Sequence, residues 1–166
     1  MFTLIACIGK NNEIGKKGEL VFNIKEDMDF FRKTTTGSPV VMGYNTWLSL
    51  PQKLKNRKNI VISYEDFTGP DEVITDLDQF INDYEHSEEE YFIIGGGMIY
   101  HRFIPHADKI YLTEVEAEVP DADVFFPDFS KENYKKSIIK ENTDGQHKFV
   151  ITKYVKKKEE NERPSI

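Results

Sequence analysis

Hydrophobic positions along this chain gather in short continuous runs separated by polar or glycine-rich breaks. Thr3-Leu4-Ile5-Ala6-Cys7-Ile8 is the first, of strand length and too short for a typical helix, which suits a central strand covered on both faces. Pro39-Val40-Val41-Met42-Gly43, Asn59-Ile60-Val61-Ile62-Ser63, the shorter Val73-Ile74-Thr75, and Tyr91-Phe92-Ile93-Ile94 repeat the pattern. Lys109 to Glu116 alternates enough to be a further strand. Between the runs, Leu77, Phe80, Ile81 and Tyr84 fall at helical spacing, and Tyr44 to Ser49 reads as a short helix. Strands alternating with helices predict an α/β domain with a mostly parallel sheet.

The end of the chain changes character. Tyr134 to Glu141 and Lys148 to Lys156 are extended segments separated by Asn142-Thr143-Asp144-Gly145, whose Asp-Gly favours a tight turn, so an antiparallel edge hairpin is expected. Residues 1–156 are read as one domain and 157–166 as a charged, disordered tail with too few apolar residues to pack.

One helix carries a chemical anomaly. Asn23 followed by Glu26 resembles a capping box and predicts a helix from Ile24 to Thr35, with apolar positions Ile24, Met28, Phe30 and Phe31. Asp29 falls beside Arg32 and Lys33 on the wet side, whereas Asp27 lies one turn before Phe30 and Phe31, within the apolar stripe. A carboxylate there costs free energy unless it is partnered, and desolvation raises its pKa. A boundary acid reaching water and a catalytic acid both satisfy the pattern.

Glycines punctuate two strand ends. Tyr91 to Ile94 runs into Gly95-Gly96-Gly97 and then a helix from Met98, while Val40-Val41-Met42 runs into Gly43 and a helix from Tyr44. Two such units on one parallel sheet aim two helix N-termini at the same edge, where α/β sheets bind ligands. A glycine turn without a ligand remains the alternative. Gly9 to Glu19 is polar, with Gly9, Gly15 and Gly18 spaced as hinges, and its length suits either a mobile lid or a plain surface connection. The basic cluster Lys53, Lys55, Arg57 and Lys58 reads as a solvated turn.

Composition narrows the classes. The 166 residues favour a single core, and 39% hydrophobic with 31% charged residues marks a globular chain. No run approaches the roughly 20 apolar residues of a membrane span, and no signal peptide opens the chain. With Cys7 as the one cysteine, a cytoplasmic protein is expected. A net charge of −7 provides no nucleic-acid footprint. P-loop, G-x-S-x-G and G-x-G-x-x-G motifs are absent, and His101 and His106 lack partners at zinc spacing, so no metal is expected.

Taken as an ordered set, these pieces resemble the dihydrofolate reductase family from Leu4 to about Tyr154. The matching residues are Leu4-Ile5-Ala6, Ile14-Gly15, Asp27 with Phe31, Val41-Met42-Gly43 with Thr46-Trp47, Leu54 with Asn56-Arg57-Lys58-Asn59, Ile94-Gly95-Gly96-Gly97 with Tyr100, Tyr111-Leu112-Thr113, and Phe126-Pro127-Asp128. The resemblance implies a three-layer α/β domain: a mostly parallel eight-stranded sheet, four flanking helices, and a cis bond between Gly95 and Gly96. It implies a monomer that reduces dihydrofolate to tetrahydrofolate with NADPH and binds antifolate inhibitors.

The implied catalytic residues are Asp27, Phe22 and Thr113. Asp27 would hold the pterin's ring N–H and amino group, supported by the Thr113 hydroxyl. Ile5, Ala6, Met28, Phe31, Leu50, Leu54, Ile94 and Tyr100 would line the substrate site, and Arg57 would take a glutamyl carboxylate. On the cofactor side the resemblance places Ala6, Cys7, Gly43, Tyr44, Asn45, Thr46, Ser63 and Tyr64, the run Gly95, Gly96, Gly97, Met98, Ile99 and Tyr100, and a lid of Ile14, Gly15, Gly18 and Leu20.

Departures from the family pattern are specific. Val21-Phe22 stands where Pro-Trp is usual, which removes an indole donor. Tyr44 and Met98 stand where basic residues commonly grip the cofactor, and Tyr64 follows Ser63 where a small hydroxyl is common. The choice between NADPH and NADH is therefore open. Pro120 to Val124 is one residue longer than the commonest pattern and is expected to alter only a loop. A binding module without turnover, and a reductase of another pterin or a pyrimidine, remain alternatives.

Overall fold

The computed structural model describes residues 1–158. In chain order the strands and helices are β1 (Phe2–Ile8), β2 (Glu13–Lys16), β3 (Glu19–Leu20), α1 (Lys25–Thr35), β4 (Val40–Gly43), α2 (Tyr44–Ser49) and β5 (Asn59–Ile62). They continue with β6 (Glu72–Ile74), α3 (Leu77–Tyr84), β7 (Tyr91–Ile93), α4 (Gly97–Phe103), β8 (Ala107–Val115), β9 (Val124–Phe125), β10 (Tyr134–Thr143) and β11 (Lys148–Lys156).

Eight strands form one sheet in the order β10-β11-β8-β1-β7-β4-β5-β6. Its pairs are parallel from β8 through β6, and β11 adds antiparallel to β8 before turning back as the β10 edge. Successive side chains of a strand point to opposite faces, so the continuous apolar runs bury both. On one face Phe2, Leu4, Ile60 and Ile93 pack with Phe80 and Ile81 of α3 and with Ile99, Tyr100 and Phe103 of α4. On the other, Ile5, Val40, Met42, Val61 and Phe92 meet Phe30 and Phe31 of α1 and Trp47 of α2. Three layers result, as the sequence pattern and the resemblance both imply.

The structure corrects the expected helix cap and hairpin turn and gives detail to two loops. Asn23 does not cap α1: the N-cap is Ile24, in extended conformation and without a side-chain cap bond. Ile24 is 1% exposed among Phe22, Val115, Phe149 and Ile151, so tertiary burial sets where this helix begins. Glu26 is drawn away from the helix start by Asn142 and by Lys140 Nζ at 3.1 Å, both on β10. The segment from Gly9 to Glu19, expected as a mobile lid or a plain surface connection, contains strands: β2 pairs with β3 and with β9 in a second, antiparallel sheet. Residues 120–123 form a loop as expected, which leads into β9 at Val124, and the Asp123 N–H donates to the Gly15 carbonyl at 3.0 Å. The terminal hairpin pairs as far as Thr143 with Lys148, which moves its turn to 144–147.

Of the expected tail, residues from 159 onward lie outside the described residues. No helix among the described residues is long and apolar enough to cross a membrane.

Candidate active site

Parallel strands β1, β7, β4 and β5 all end at one edge of the sheet, where Gly43, Ile94 and the glycine run lie, whereas Leu54 and Arg57 are tied to Asn59 at the start of β5. Thr113 is 2% exposed on β8, and its Oγ1 donates to Asp27 Oδ1 on α1 at 2.6 Å. Burial raises the Asp27 pKa, and the Thr113 hydrogen bond opposes the rise. Asp27 is the acid of α1 that its neighbours do not neutralise. Asp29 pairs with Lys25 at 3.2 Å and Arg32 at 3.5 Å, and Glu26 lies against Lys140.

Tyr100 connects this acid to the glycine run. Its hydroxyl donates to the Ile5 carbonyl at 2.7 Å, and burial followed by the Asp27 charge pushes its pKa upward. Cys7, on the same strand as Ile5, has its thiol pushed up by burial and then by Asp27, which makes it an inert, protonated wall. The Tyr100 ring also covers Gly95, where an added Cβ would lie 3.4 Å from it. Gly95 has a φ of +121°, a conformation open to glycine, and its bond to Gly96 is cis.

The glycine run and Gly43 form a single floor. The Gly43 N–H donates to the Gly95 carbonyl at 2.9 Å, while a Cβ at Gly43 would approach Ile99 Cγ1 to 3.0 Å. Gly43 and Gly96 are the N-caps of α2 and α4, neither with a side-chain cap bond nor an acid in the following turn. Thr46 Oγ1 lies 3.5 Å from where a Gly96 Cβ would stand. Backbone N–H donors, close-approach glycines and a hydroxyl without neighbouring acids fit a pyrophosphate.

Other expected residues divide by exposure. Ile5, Ile14, Phe22, Ile99 and Tyr100 are buried; Ala6 is partly buried against one face of the sheet, and Phe31, Leu50, Leu54 and Ile94 are partly buried against the other. Met28, Leu20, Met98, Tyr44 and Tyr64 stand exposed, Tyr64 at 96%. Phe22 packs with Ile24 and Phe149, and its ring meets His147 edge-on at 5.5 Å, so the position keeps aromatic bulk without a donor. Arg57 is placed by its own fold: Nη1 donates to Thr35 Oγ1 at 3.0 Å, Nε to the Lys55 carbonyl at 2.9 Å, and the guanidinium lies over Phe31 at 5.9 Å. No carboxylate among the described residues pairs with it.

Sequence reasoning missed two acids that hold the β2–β3 hairpin. Glu13 on β2 is 1% exposed, and its carboxylate accepts the Asn11 N–H at 2.6 Å and the Val119 N–H at 2.5 Å. Burial pushes that carboxyl up, but the backbone donors outweigh it and hold the pKa below the ordinary value. Asp123 accepts the Lys17 N–H at 3.0 Å at the tip of the β2–β3 hairpin, where Lys17 and Gly18 have positive φ. Gly18 was legible as a hinge, but nothing in the local pattern marks a buried acid within a polar segment.

A partnered acid among apolar residues and a glycine floor with free backbone donors, on an α/β sheet, suit an enzyme that binds a small substrate and a dinucleotide. Residues 1–158 match the family model described as dihydrofolate reductase. A dihydrofolate reductase of Ureaplasma parvum is 36% identical over 164 residues, covering 96% of this chain and 99% of its own length. Those of Haemophilus influenzae and Bacillus subtilis are 35% and 33% identical, covering 81% of this chain and 83% and 80% of their own lengths. The chain belongs to the dihydrofolate reductase family: an NADPH-using oxidoreductase that reduces dihydrofolate to tetrahydrofolate.

Proposed function

We propose that this family reaction is carried here by Asp27 and Thr113 acting on the pterin, and by Gly43 and Gly95 to Gly97 seating the dinucleotide. The observation carrying the reading is the 2.6 Å Thr113 to Asp27 hydrogen bond, in a wall that also includes Ile5, Phe31 and Ile94. NADPH, when bound, supplies a hydride to the pterin carbon next to N5. Asp27 offers its carboxylate to the pterin's ring N–H and exocyclic amino group, a paired contact that fixes the ring's orientation. Thr113 orients the carboxylate and opposes the rise in its pKa that burial causes. N5 receives its proton by way of water under the influence of the Asp27 charge, while Phe22 keeps aromatic bulk without a donor toward the pterin.

The remaining roles follow from placement. Ala6, Leu50, Leu54 and Met28 complete the apolar walls, and Arg57 receives the glutamyl carboxylate with its fork. Ile14, Gly15, Gly18 and Leu20 form a lid on the β2–β3 hairpin, held by Glu13 and Asp123. Asn45, Thr46, Met98 and Ile99 border the pyrophosphate seat, with Cys7, Ser63 and Tyr64 along its flanks. The same reading makes residues 1–156 one monomeric catalytic domain, working in the cytoplasm.

The test is dihydrofolate-dependent loss of NADPH absorbance in the wild type and in Asp27→Asn, with cofactor titrated by fluorescence. Asp27→Asn is expected to bind NADPH normally while the chemical step slows about a hundredfold at neutral pH. An unchanged single-turnover rate would remove Asp27 from the mechanism.

A further inference from the structure

Asp27 sits in the first turn of α1, whose N-cap, Ile24, makes no side-chain cap bond. Lys25, Asp29 and Arg32 pair along the helix itself, Lys25 with Asp29 at 3.2 Å and Arg32 with Asp29 at 3.5 Å, and the far end is tied to Arg57 through Thr35. Glu26, the neighbour of Asp27, reaches to another element. Its Oε1 accepts from Asn142 Nδ2, and its Oε2 faces Lys140 Nζ at 3.1 Å. Oε2 is closed to solvent and has no hydrogen-bond partner among the described residues, so the Lys140 charge is what balances it.

A slip in strand register aims both partners. β10 runs in step with β11 from Tyr134 opposite Lys156 to Ile138 opposite Thr152, then passes over Ile139, so that Lys140 pairs with Ile151 and Asn142 with Phe149. Directly paired residues of an antiparallel ladder share a face, and one extra residue turns every later side chain to the other face. Ile151 and Phe149 are buried with Phe22, Ile24 and Phe30 on the α1 side of the sheet, whereas Tyr154 packs on the opposite side. Without the bulge Lys140 would stand opposite Val150 and face away from α1. The turn beyond is a formed structure: Asp144 Oδ1 accepts the Gln146 N–H at 2.9 Å and the His147 N–H at 2.7 Å, and the His147 ring meets Phe22 edge-on at 5.5 Å.

We infer that the end of the β10–β11 hairpin is a clasp on the substrate side of the cleft: Lys140 and Asn142 hold Glu26, and His147 backs Phe22, so that the first turn of α1 presents Asp27 to the pterin in a fixed position. Lys140, Asn142 and Glu26 are positioning residues that act through Asp27. The clasp rests on the functional reading of Asp27 above and adds what keeps that carboxylate in place. Strands β8 and β1 separate the hairpin from β7 and β4, which carry the glycine floor, so the cofactor side lies outside its reach.

Binding to the full chain tests it, with dihydrofolate, a dihydropterin lacking the glutamyl tail, and NADPH each titrated by fluorescence, and with the unfolding midpoint recorded for every variant. The tail-less ligand keeps the contact with Asp27 and omits that with Arg57, so it reports on the first turn alone. Lys140→Ala combined with Asn142→Ala should weaken both pterins by about tenfold, the equivalent of one charge-assisted hydrogen bond, and leave the NADPH dissociation constant unchanged. Lys140→Arg, which keeps the cation, should stay within about twofold of wild type, and a loss as large as that of the double variant would overturn the role of the charge. A lower unfolding midpoint with unchanged pterin binding would reduce these contacts to fold stability and overturn the inference, as would equal weakening of NADPH. Asp27→Asn separates the two levels. If it binds the tail-less dihydropterin as wild type does, the functional reading falls and the clasp with it; if it weakens that ligand while the double variant does not, the clasp alone falls.

Discussion

Thr113 on β8 and Asp27 on α1, 86 residues apart in sequence, meet in a 2.6 Å hydrogen bond. The bond opposes the desolvation that raises the carboxyl's pKa, so removing it should raise that pKa further. Thr113→Val keeps the shape and deletes the donor. The Asp27 carboxyl should then titrate at higher pH, as followed by NMR of a labelled side chain, and pterin binding should weaken by about 1–3 kcal/mol.

Asp27 also links stability to pH. Because its folded-state pKa is raised, the folded protein holds this proton more tightly than the unfolded chain. Its contribution is most favourable below the unfolded carboxyl's pKa and is lost as pH rises through the folded value. Asp27→Asn should therefore melt at a higher temperature than wild type at neutral pH, with the gap closing in acid. A variant that melts identically across this range would show that the carboxylate is not desolvated.

Glu13 predicts the opposite pH dependence. Its folded pKa is depressed, so its stabilisation is present above the unfolded pKa and fades as pH falls through the folded one. Glu13→Gln should cost about 1.5–3 kcal/mol at neutral pH and much less in acid, measured by denaturant unfolding. Glutamine keeps one oxygen acceptor and replaces the other by an NH2 donor, so one of the Asn11 and Val119 N–H groups loses its partner and amide exchange should accelerate in that segment.

Gly97 gives a test of the contact between α4 and β9. A Cβ there would stand 2.7 Å from Val124 Cγ1, and valine is stiff at χ1. Gly97→Ala should cost about 1–3 kcal/mol despite alanine's better helix propensity. Val124→Ala should recover most of that loss when combined with it, a coupling visible in a double-mutant cycle.

Arg57 separates substrate-tail recognition from chemistry. Arg57→Lys keeps the charge and loses the fork that Thr35 and Phe31 orient. KM for dihydrofolate should rise about tenfold with little change in kcat, and a pterin lacking the glutamyl tail should be unaffected.

Much of this protein was legible in its residue order. The runs Thr3–Ile8, Val40–Gly43 and Tyr91–Ile93 are buried strands because only a two-faced parallel sheet suits uninterrupted apolar segments of that length. Asp27 was singled out because an acid on an apolar stripe demands a partner, and the glycine runs marked the strand ends where Gly43 and Gly95 meet backbone to backbone. Tertiary structure alone decided the rest. Ile24, not Asn23, starts α1 because burying that side chain among Phe149 and Ile151 outweighs a cap, and those partners lie more than a hundred residues away. Glu13 is a buried anchor, and Pro120 to Val124 runs into the β2 sheet, because backbone donors from distant segments converge there. Short-range patterns record which face of an element is apolar; they carry no record of which distant backbone groups will meet it.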